Sequence, residues 1–267
     1  MILEDLTAPQ RRAYNHEIAH QPPTPWTEVD TQVTGSGDYV IDVTPIRHTI
    51  AARTKLSKTE IPHAGMMIEA DVTNLVLLRN KRKDEFRRQE GMNLTYLPLF
   101  VQAVVSAIKD YPMMNAVWAA DKIIVKRDIN MSLLIGTEDS VLAPVIHHAD
   151  QKSIAGLALA IDSLTRKARS GKLTPNDMQG GTFTVNNTGS FGSVSSNPTI
   201  NYPQAAILTL ESIVKKPVVI GEMIAIRSMV NLCLSIDHRL LDGVICGRFM
   251  QRVKENLESY ELHTKLY

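Results

Sequence analysis

The sequence predicts an α/β fold, more fully described as α+β, in which a mixed β-sheet is flanked by helices. Three observations support this class. Several apolar stripes have helical spacing, short apolar runs are bounded by turn residues, and some of these runs follow one another directly. The 267 residues are enough for one large domain of this class or two small ones.

The first part of the predicted domain contains three helices and one strand. Helical spacing predicts a helix over residues 45–57, and residues 63–70 have the pattern of a strand. Asp71 is the expected N-cap of a second helix, which carries Leu75 and Leu78. The third helix is indicated by an apolar stripe whose members are Leu97, Val101, Val104, Val105 and Ile108.

The middle of the chain predicts a short strand, a hairpin and the clearest helix. Residues 123–125 form the strand, and residues 129–135 and 140–146 form a hairpin around residues 136–139. A helix follows over residues 151–170, and Gly171 is well placed to end it. The apolar stripe of this helix consists of Ile154, Leu157, Ala158, Ile161, Leu164 and Ala168.

The last third of the chain completes the predicted sheet. Four strands are expected near residues 182–186, 205–210, 217–220 and 229–236. A final helix has an apolar stripe formed by Ile245, Phe249, Val253 and Leu257. Helices and strands are therefore interleaved along the whole domain, which we place at residues 41–267.

Residues 1–40 differ from the rest and are interpreted as a linker or an extended arm. Three prolines at positions 22, 23 and 25 exclude a helix there, because each lacks a backbone donor and restricts the preceding residue. Residues 34–38 (Thr-Gly-Ser-Gly-Asp) have the composition of a flexible joint. The aromatic residues Trp26 and Tyr39 are the side chains most able to fix such an arm to a partner.

Composition excludes several classes of function. The net charge of +1 and the 5% of aromatic residues give no reason to expect a nucleic-acid partner. Two cysteines are too few for a disulfide framework or a thiolate zinc site, so we expect no metal and a reducing, cytoplasmic setting. No apolar run reaches the roughly 18 residues of a membrane helix.

The pattern with chemical meaning is Asp237-His238-Arg239 followed by Asp242-Gly243. It comes directly after an apolar strand, so a rigid scaffold would hold His238 at the strand end, and Asp242 follows four residues later. A carboxylate near an imidazole can fix its tautomer or support its charge. Seven other histidines have no such context, and a lone histidine is more often structural than catalytic. The adjacent His147 and His148 are interpreted as a solvated edge, since neighbours on a strand point apart.

These residues resemble the signature of the dihydrolipoamide acyltransferases, the catalytic cores of 2-oxo acid dehydrogenase complexes. Residues Asp237–Gly243 match Asp-His-Arg-x-x-Asp-Gly at every specified position, and the shorter His-x-x-x-Asp-Gly marks chloramphenicol acetyltransferase, which has a similar fold. Three further blocks match in order: residues 43–47, residues 171–178, and residues 180–192 with their continuation at 200–208. The resemblance covers about residues 43–260 and is strongest to branched-chain enzymes of Bacillus-type bacteria.

The resemblance implies specific roles for three residues. His238 would be the general base that takes the proton of the coenzyme A thiol, and Asp242 would orient it. Asn186 stands where many members of the family have a serine or threonine that donates to the oxyanion of the reacting thioester. An asparagine amide can also donate, but Thr188 or Ser190 could take over that role. A purely structural Asn186, which only satisfies backbone groups in a turn, is the alternative.

The resemblance also implies ligands and partners. Coenzyme A would be a substrate, with contacts carried over to Asn187, Ser212 and Ile213. The lipoyl group would come from another domain or chain, because residues 2–6 resemble only the end of a peripheral-subunit-binding domain. Lys122 is rejected as a lipoylation site, since the β-rich setting of a lipoyl domain is absent around it. A homotrimer is implied, with the site between subunits, together with assembly into a cubic or icosahedral core that carries decarboxylase and dihydrolipoamide dehydrogenase subunits.

Two other functions remain open at this point. The chain could be an oligomeric scaffold whose catalytic activity is impaired, which the departure at Asn186 would allow. It could also transfer acyl groups from coenzyme A to a different acceptor. The intact segment Asp237–Gly243 argues against the first alternative, and the Thr44-Pro45-Ile46-Arg47 block argues against the second.

Overall fold

The computed structural model describes residues 39–137 and 140–267, so the predicted arm lies outside the described residues except for residues 39 and 40. Residues 39–44 have no regular structure, and helix α1 spans Pro45–Glu60, which confirms the helix predicted over 45–57. From Arg53 to Tyr267 the chain folds as one unit.

Eleven strands are found in the described part of the chain, and seven of them form one sheet. The strands are β1 (His63–Asp71), β2 (Ala116–Ala119), β3 (Lys122–Val125), β4 (Met131–Leu133), β5 (Ile135–Gly136), β6 (Val141–Leu142), β7 (Val145–Ile146), β8 (Phe183–Asn187), β9 (Ala206–Leu210), β10 (Val214–Ile220) and β11 (Met223–Asp237). The sheet order is β1-β11-β9-β8-β4-β7, with β10 paired to β11. Strand β8 is parallel to β4 and β9, and the other pairs are antiparallel, which confirms the predicted mixed sheet.

Helices cover the sheet and bury its apolar residues. They are α2 (Thr73–Glu90), α3 (Leu97–Asp110), α4 (Ile154–Arg169), α5 (Pro175–Met178) and α6 (Gly243–Glu258). Helix α3 is the most buried, and it packs against α4 and α6. Helix α6 also packs on β1, and Phe249 stacks against Phe183 of β8 with ring centroids 6.0 Å apart. Helix α6 is thereby fixed to the sheet.

Local signals were correct at one helix end and wrong at another. Gly171 follows α4 with φ +66°, a conformation that glycine adopts without steric cost, as predicted. The prediction that Asp71 caps α2 is wrong by one residue, because the N-cap is Val72. The Asp71 carboxylate ends β1 and accepts hydrogen bonds from the backbone and hydroxyl of Thr73 and from Arg227.

The predicted central hairpin is confirmed as two paired segments, β4 with β7 and β5 with β6, although residues 138–139 at its turn lie outside the described residues. The strand predicted at 123–125 is β3. Its partner β2 was not predicted, since Ala-Val-Trp-Ala is too short to show a period of two.

The strands predicted at 217–220 and 229–236 lie within two longer strands, β10 and β11. Residues 214–229, which we call the β10–β11 arm, form an antiparallel ribbon in which the first half of β11 pairs with β10. Four apolar side chains of this arm are 70–79% exposed: Val219, Met223, Ile224 and Ile226. Such a concentration of exposed apolar side chains is typical of an interaction surface.

Candidate active site

His238 lies immediately after β11, in a turn whose backbone is fixed on both sides. The Asp237 N–H donates to the carbonyl of Ala205 at 2.8 Å, and the His238 N–H donates to the carbonyl of Pro62 at 3.1 Å. Strand β11 lies between β1 and β9 in the sheet, so these bonds place the turn between the segments that precede β1 and β9. The His238 side chain is exposed, and no described side chain hydrogen-bonds its imidazole ring.

A buried ion pair holds the turn around His238. Asp237 is only 2% exposed, and both of its carboxylate oxygens accept hydrogen bonds from the Arg239 guanidinium, Oδ1 from Nε at 3.0 Å and Oδ2 from Nη2 at 2.7 Å. The guanidinium also lies over the ring of Trp118, 5.3 Å from its centroid. The hydrogen bond to Asp237 raises the pKa of Arg239 above its ordinary value. A buried carboxylate is tolerated here because a cation satisfies it in a bidentate geometry.

Asp242 begins helix α6. Its Oδ1 accepts the backbone N–H groups of Val244 and Ile245, both at 2.9 Å, so the carboxylate is the N-cap of the helix. Such a cap contributes on the order of 1 kcal/mol to helix stability. The side chain is exposed, and its described hydrogen bonds go to the helix. An orienting role of Asp242 toward His238 therefore stays a prediction.

The other predicted site residues lie around a loop after β8. Asn186 points its Nδ2 toward the Thr209 hydroxyl on β9 at 3.4 Å. Asn187 Oδ1 accepts the backbone N–H of Gly189 at 3.0 Å, and the Ser212 hydroxyl donates to the Gly189 carbonyl at 2.8 Å. The structure thus brings Asn187 and Ser212 together at Gly189. The side chain of Ile213, the third predicted coenzyme contact, packs against the hydrophobic core.

Glu211 lies beneath this loop, which we call the Gly189 loop (residues 188–196). Its side chain is 3% exposed, and its carboxylate accepts hydrogen bonds from the hydroxyls of Thr188 at 2.8 Å and Ser196 at 2.6 Å. Burial raises the pKa of Glu211, but hydrogen bonds from Ser193, Ser196, Thr188 and Cys233 outweigh it, so the net shift is downward. The carboxylate is therefore ionised at neutral pH although it is buried.

Within one chain the sheet separates His238 from Asn186. Asn186 pairs with Thr209 across β8 and β9, and Thr209 pairs with Cys233 across β9 and β11. His238 follows Cys233 by five residues, which corresponds to about 17 Å along an extended strand. The predicted site residues therefore form two groups at opposite ends of the sheet: His238 with Asp242, and Asn186 with Asn187 and Ser212.

Other histidines have partners that explain them. The His63 ring is held by the Ile61 carbonyl at 2.8 Å from Nδ1 and by the Ile200 N–H at 3.1 Å from Nε2, which gives it a structural role. His147 contacts the Asn176 carbonyl at 3.0 Å, whereas His148 lies 3.9 Å from the carboxylate of Asp128. The described residues contain no group of three or more His, Cys, Asp or Glu side chains able to hold a metal ion. None of the described helices is long and apolar enough to cross a membrane.

Sequence reasoning missed three residues that shape the two groups. Arg239 was treated as part of a motif, although its spacing of two from Asp237 is a signal for a local ion pair. Trp118 lies on the unpredicted strand β2. Glu211 had a weak signal, because a carboxylate directly after the buried run Ala206–Leu210 must find partners inside the fold.

Comparison with known proteins links these features to a family. The sequence profile described as "2-oxoacid dehydrogenases acyltransferase (catalytic domain)" matches residues 36–264. The lipoamide acyltransferase component of the branched-chain alpha-keto acid dehydrogenase complex of Bacillus subtilis (strain 168) is 58% identical over 246 residues. That alignment covers 92% of this chain and 58% of the Bacillus protein, so the chain spans less than two thirds of the length of this relative.

Two solved structures share the fold. A probable dihydrolipoamide acetyltransferase of Listeria monocytogenes 4b F2365 is 54% identical and has a TM-score of 0.85, over 86% of this chain and 99% of its own. The dihydrolipoamide acetyltransferase of Azotobacter vinelandii is 31% identical, with a TM-score of 0.82 over 89% of this chain and 97% of its own. It was studied for the catalytic roles of a serine, a histidine and an asparagine, the last two four residues apart. The chain belongs to the family of 2-oxoacid dehydrogenase acyltransferases.

Proposed function

We propose that this chain transfers an acyl group between dihydrolipoamide and coenzyme A, with His238 as the general base. The observation that carries the proposal is the exposed imidazole of His238, held at the end of an interior strand by a fixed backbone and a buried ion pair. Relatives that are 54–58% identical are acyltransferases by name. The spacing of His238 and Asp242 equals that of the histidine and asparagine studied in the Azotobacter enzyme.

The proton transfer defines what His238 contributes. A free thiol has a pKa of about 8.5, so most of it is protonated at neutral pH and a base accelerates its attack. His238 accepts that proton while the sulfur bonds to the acyl carbon, and it returns a proton to the sulfur that leaves. The lipoyl group supplies the second thiol when another domain or chain delivers it. Asp242 fixes the start of α6 and, through it, the turn that carries His238.

The second group of residues supplies the binding side of the site. The Asn186 amide is half-buried, and its single described hydrogen bond, to Thr209, is long at 3.4 Å, so the amide is able to donate to the oxygen of a reacting thioester. Asn187 and Ser212 flank the same loop and suit the polar contacts of coenzyme A. Ile213 is expected to contribute through its backbone, because its side chain packs against the core.

The chain is proposed to act as a homotrimer with each site between two subunits. Two observations support this. His238 and Asn186 are about 17 Å apart along the sheet of one chain, which is too far for one reacting thioester. The exposed apolar residues of the β10–β11 arm also need a covering surface, which a second copy of the chain would provide.

The wider context is proposed from the relatives. We assign residues 41–267 to the catalytic domain and residues 1–40 to an arm or linker. Trimers would assemble into a cubic or icosahedral core in the cytoplasm, with decarboxylase and dihydrolipoamide dehydrogenase subunits as partners. A branched-chain acyl group is the proposed substrate, since the Bacillus relative, 58% identical, belongs to the branched-chain complex.

A direct turnover assay tests the reaction. The purified oligomer is given free dihydrolipoamide with isobutyryl-coenzyme A, acetyl-coenzyme A or succinyl-coenzyme A, and S-acyl-dihydrolipoamide is quantified by mass spectrometry. We expect turnover, fastest with the isobutyryl donor. If a well-assembled oligomer shows no turnover with any donor, the acyltransferase function is contradicted and the scaffold function remains. Faster transfer from acetyl- or succinyl-coenzyme A would remove the branched-chain assignment alone.

Subunit complementation tests whether the site is shared. His238→Ala and Asn186→Ala chains are each expected to be nearly inactive, and they are mixed under conditions that exchange subunits. In randomly mixed trimers about a quarter of the sites combine an intact His238 with an intact Asn186, so about a quarter of wild-type turnover should return. No recovery, with exchange verified by mass spectrometry, contradicts the shared site.

A further inference from the structure

The Gly189 loop is built around a buried carboxylate that has no cationic partner among the described residues. Glu211 is 3% exposed, and its backbone N–H donates to the Asn231 carbonyl at 3.1 Å, which fixes it to the sheet. A buried carboxylate is costly unless its oxygens accept hydrogen bonds. Hydroxyl groups of the loop provide these bonds, so the position of the loop and the burial of this charge depend on each other.

The carboxylate joins the two ends of the loop. One oxygen accepts the hydroxyl of Thr188 at 2.8 Å, and the other accepts the hydroxyl of Ser196 at 2.6 Å. These two residues are the first and last of the loop. A further bond runs from the Ser212 N–H to the Ser193 carbonyl at 2.8 Å, next to Glu211 in the chain. The loop is therefore closed over a single anion.

The same loop contacts two of the three predicted coenzyme contacts. Asn187 and Ser212 bind the backbone N–H and carbonyl of Gly189. Gly189 itself lies against Glu211, because a Cβ atom at position 189 would be only 2.7 Å from the Glu211 carbonyl oxygen. A change in the position of Glu211 is thus transmitted to Gly189 and from there to Asn187 and Ser212.

We propose that Glu211 is a positioning residue for coenzyme A, which holds the Gly189 loop in the conformation that presents Asn187 and Ser212. This inference rests on the proposed function and extends it. Glu211 is buried under the loop and lies, through the strand register, at the far end of the sheet from His238. Loss of Glu211 should therefore weaken coenzyme binding and leave the chemical step of a saturated enzyme nearly unchanged.

Steady-state kinetics of the assembled full chain test this role. In Glu211→Ala we expect the KM for isobutyryl-coenzyme A to rise about 10-fold, while kcat and the KM for dihydrolipoamide change less than about twofold. Glu211→Gln should be milder, because an amide can still accept from one hydroxyl and donate to the other. Asp177→Asn is the matched control, since this carboxylate is also hydrogen-bonded but belongs to α5, and it should change none of these constants. An unchanged KM for the acyl-coenzyme A, or an equal change in all three constants, overturns the proposal.

A second set of variants guards against failure of Glu211→Ala to fold. Thr188→Val and Ser196→Ala each remove one hydroxyl donor and leave the carboxylate, and each should raise the same KM about threefold. Hydrogen exchange of the amides in residues 189–196 should be faster in Glu211→Gln than in the wild type. Unchanged kinetics and exchange in all three variants contradict the proposal.

Calorimetric titration with coenzyme A separates this proposal from the proposed function. If the wild-type oligomer shows no turnover but binds coenzyme A, and Glu211→Gln binds it more weakly, the proposed reaction fails and the positioning role stands. If the wild type turns over and Glu211→Gln binds coenzyme A equally well, the positioning role fails alone. A wild type that binds no coenzyme A contradicts both.

Discussion

Two buried carboxylates stabilise the two ends of the sheet in different ways. At the end that carries His238, Asp237 is neutralised by the guanidinium of Arg239, two residues away in the chain. At the end that carries the Gly189 loop, Glu211 has no described salt bridge and is satisfied by hydroxyls 15 and 23 residues away. A local ion pair gives a rigid turn, whereas a carboxylate held by distant hydroxyls couples a loop to the sheet.

This difference matches the two tasks proposed for the site. A general base must stay within hydrogen-bond reach of one proton, so a short, charge-paired turn suits it. A surface that binds a long coenzyme needs polar groups spread over a loop, and hydroxyl partners allow small adjustments. The effects of substitutions should therefore fall on the rate at the first end and on coenzyme affinity at the second.

The largest effect is expected from His238→Ala. Loss of a general base should lower kcat by ~10²–10⁴-fold, with oligomeric size unchanged by light scattering. His263→Ala is the control, since that histidine is 84% exposed and contacts Glu261 in the C-terminal segment. Nearly normal turnover of His238→Ala would remove His238 as the base.

Removal of the Arg239 guanidinium should have the next largest effect. Arg239→Met leaves the Asp237 carboxylate buried without its cationic partner, although it still accepts the backbone N–H of residue 239, and this costs about 3–5 kcal/mol of folding free energy. The change also frees the turn of His238, so kcat should fall while the KM for acyl-coenzyme A stays nearly constant. Chemical denaturation of the variant measures the first effect.

The double variant Asp237→Asn, Arg239→Met distinguishes the charge from the packing. Because it removes the buried charge together with its partner, it should regain part of the lost stability. A double variant that is less stable than Arg239→Met would show that the unpaired charge of Asp237 is not what destabilises the single variant.

The His238 end was predictable from sequence because its interactions are local. Residues 237–243 combine a strand end, an ion pair with a spacing of two and a helix cap, and each of these has a sequence signal. The mixed sheet was also predictable, since strands such as 205–210 and helices such as 151–170 have clear apolar periods. The short strand β2 had no such period, and only residues 217–220 of the exposed β10–β11 arm were predicted as a strand.

The Gly189 loop end was less predictable because its contacts are distant in sequence. Asn187 and Ser212 are 25 positions apart, and only the parallel register of β8 and β9 brings them to one loop. The same register places Glu211 next to its hydrogen-bond partners Thr188 and Ser196. The separation of Asn186 from His238 also follows from strand pairing, which a motif cannot show.

A third prediction addresses the contact between Gly189 and the sheet. In Gly189→Ala the new Cβ would meet the Glu211 carbonyl at 2.7 Å, so the loop must shift, at a cost of about 1–3 kcal/mol. We expect a higher KM for acyl-coenzyme A and an unchanged KM for dihydrolipoamide. Gly156→Ala is the control, because its Cβ would have an ordinary contact at 3.5 Å. A normal KM for acyl-coenzyme A would show that the loop tolerates the displacement.

The smallest effect is expected from a carboxylate outside both ends of the site. Asp177 completes a capping box with Thr174 and forms a hydrogen-bonded ion pair with Lys167. The backbone hydrogen bond from Thr174 lowers the pKa of Asp177 the most and the hydrogen bond from Lys167 comes next, so that this pKa falls from 3.8 to about 2. Its folded-state pKa is below the unfolded value, so its stabilising contribution is complete above about pH 4 and is lost as the pH falls toward 2. Asp177→Asn should therefore lower the unfolding free energy at pH 6, and the difference from the wild type should shrink between pH 4 and 2.5. Urea denaturation at several pH values measures it, and a difference that stays constant with pH would mean that the ionised carboxylate contributes nothing. Since the described side-chain hydrogen bonds of Asp177 go to Thr174 and Lys167 and not to either group of site residues, kcat and both KM values at pH 7 should be those of the wild type.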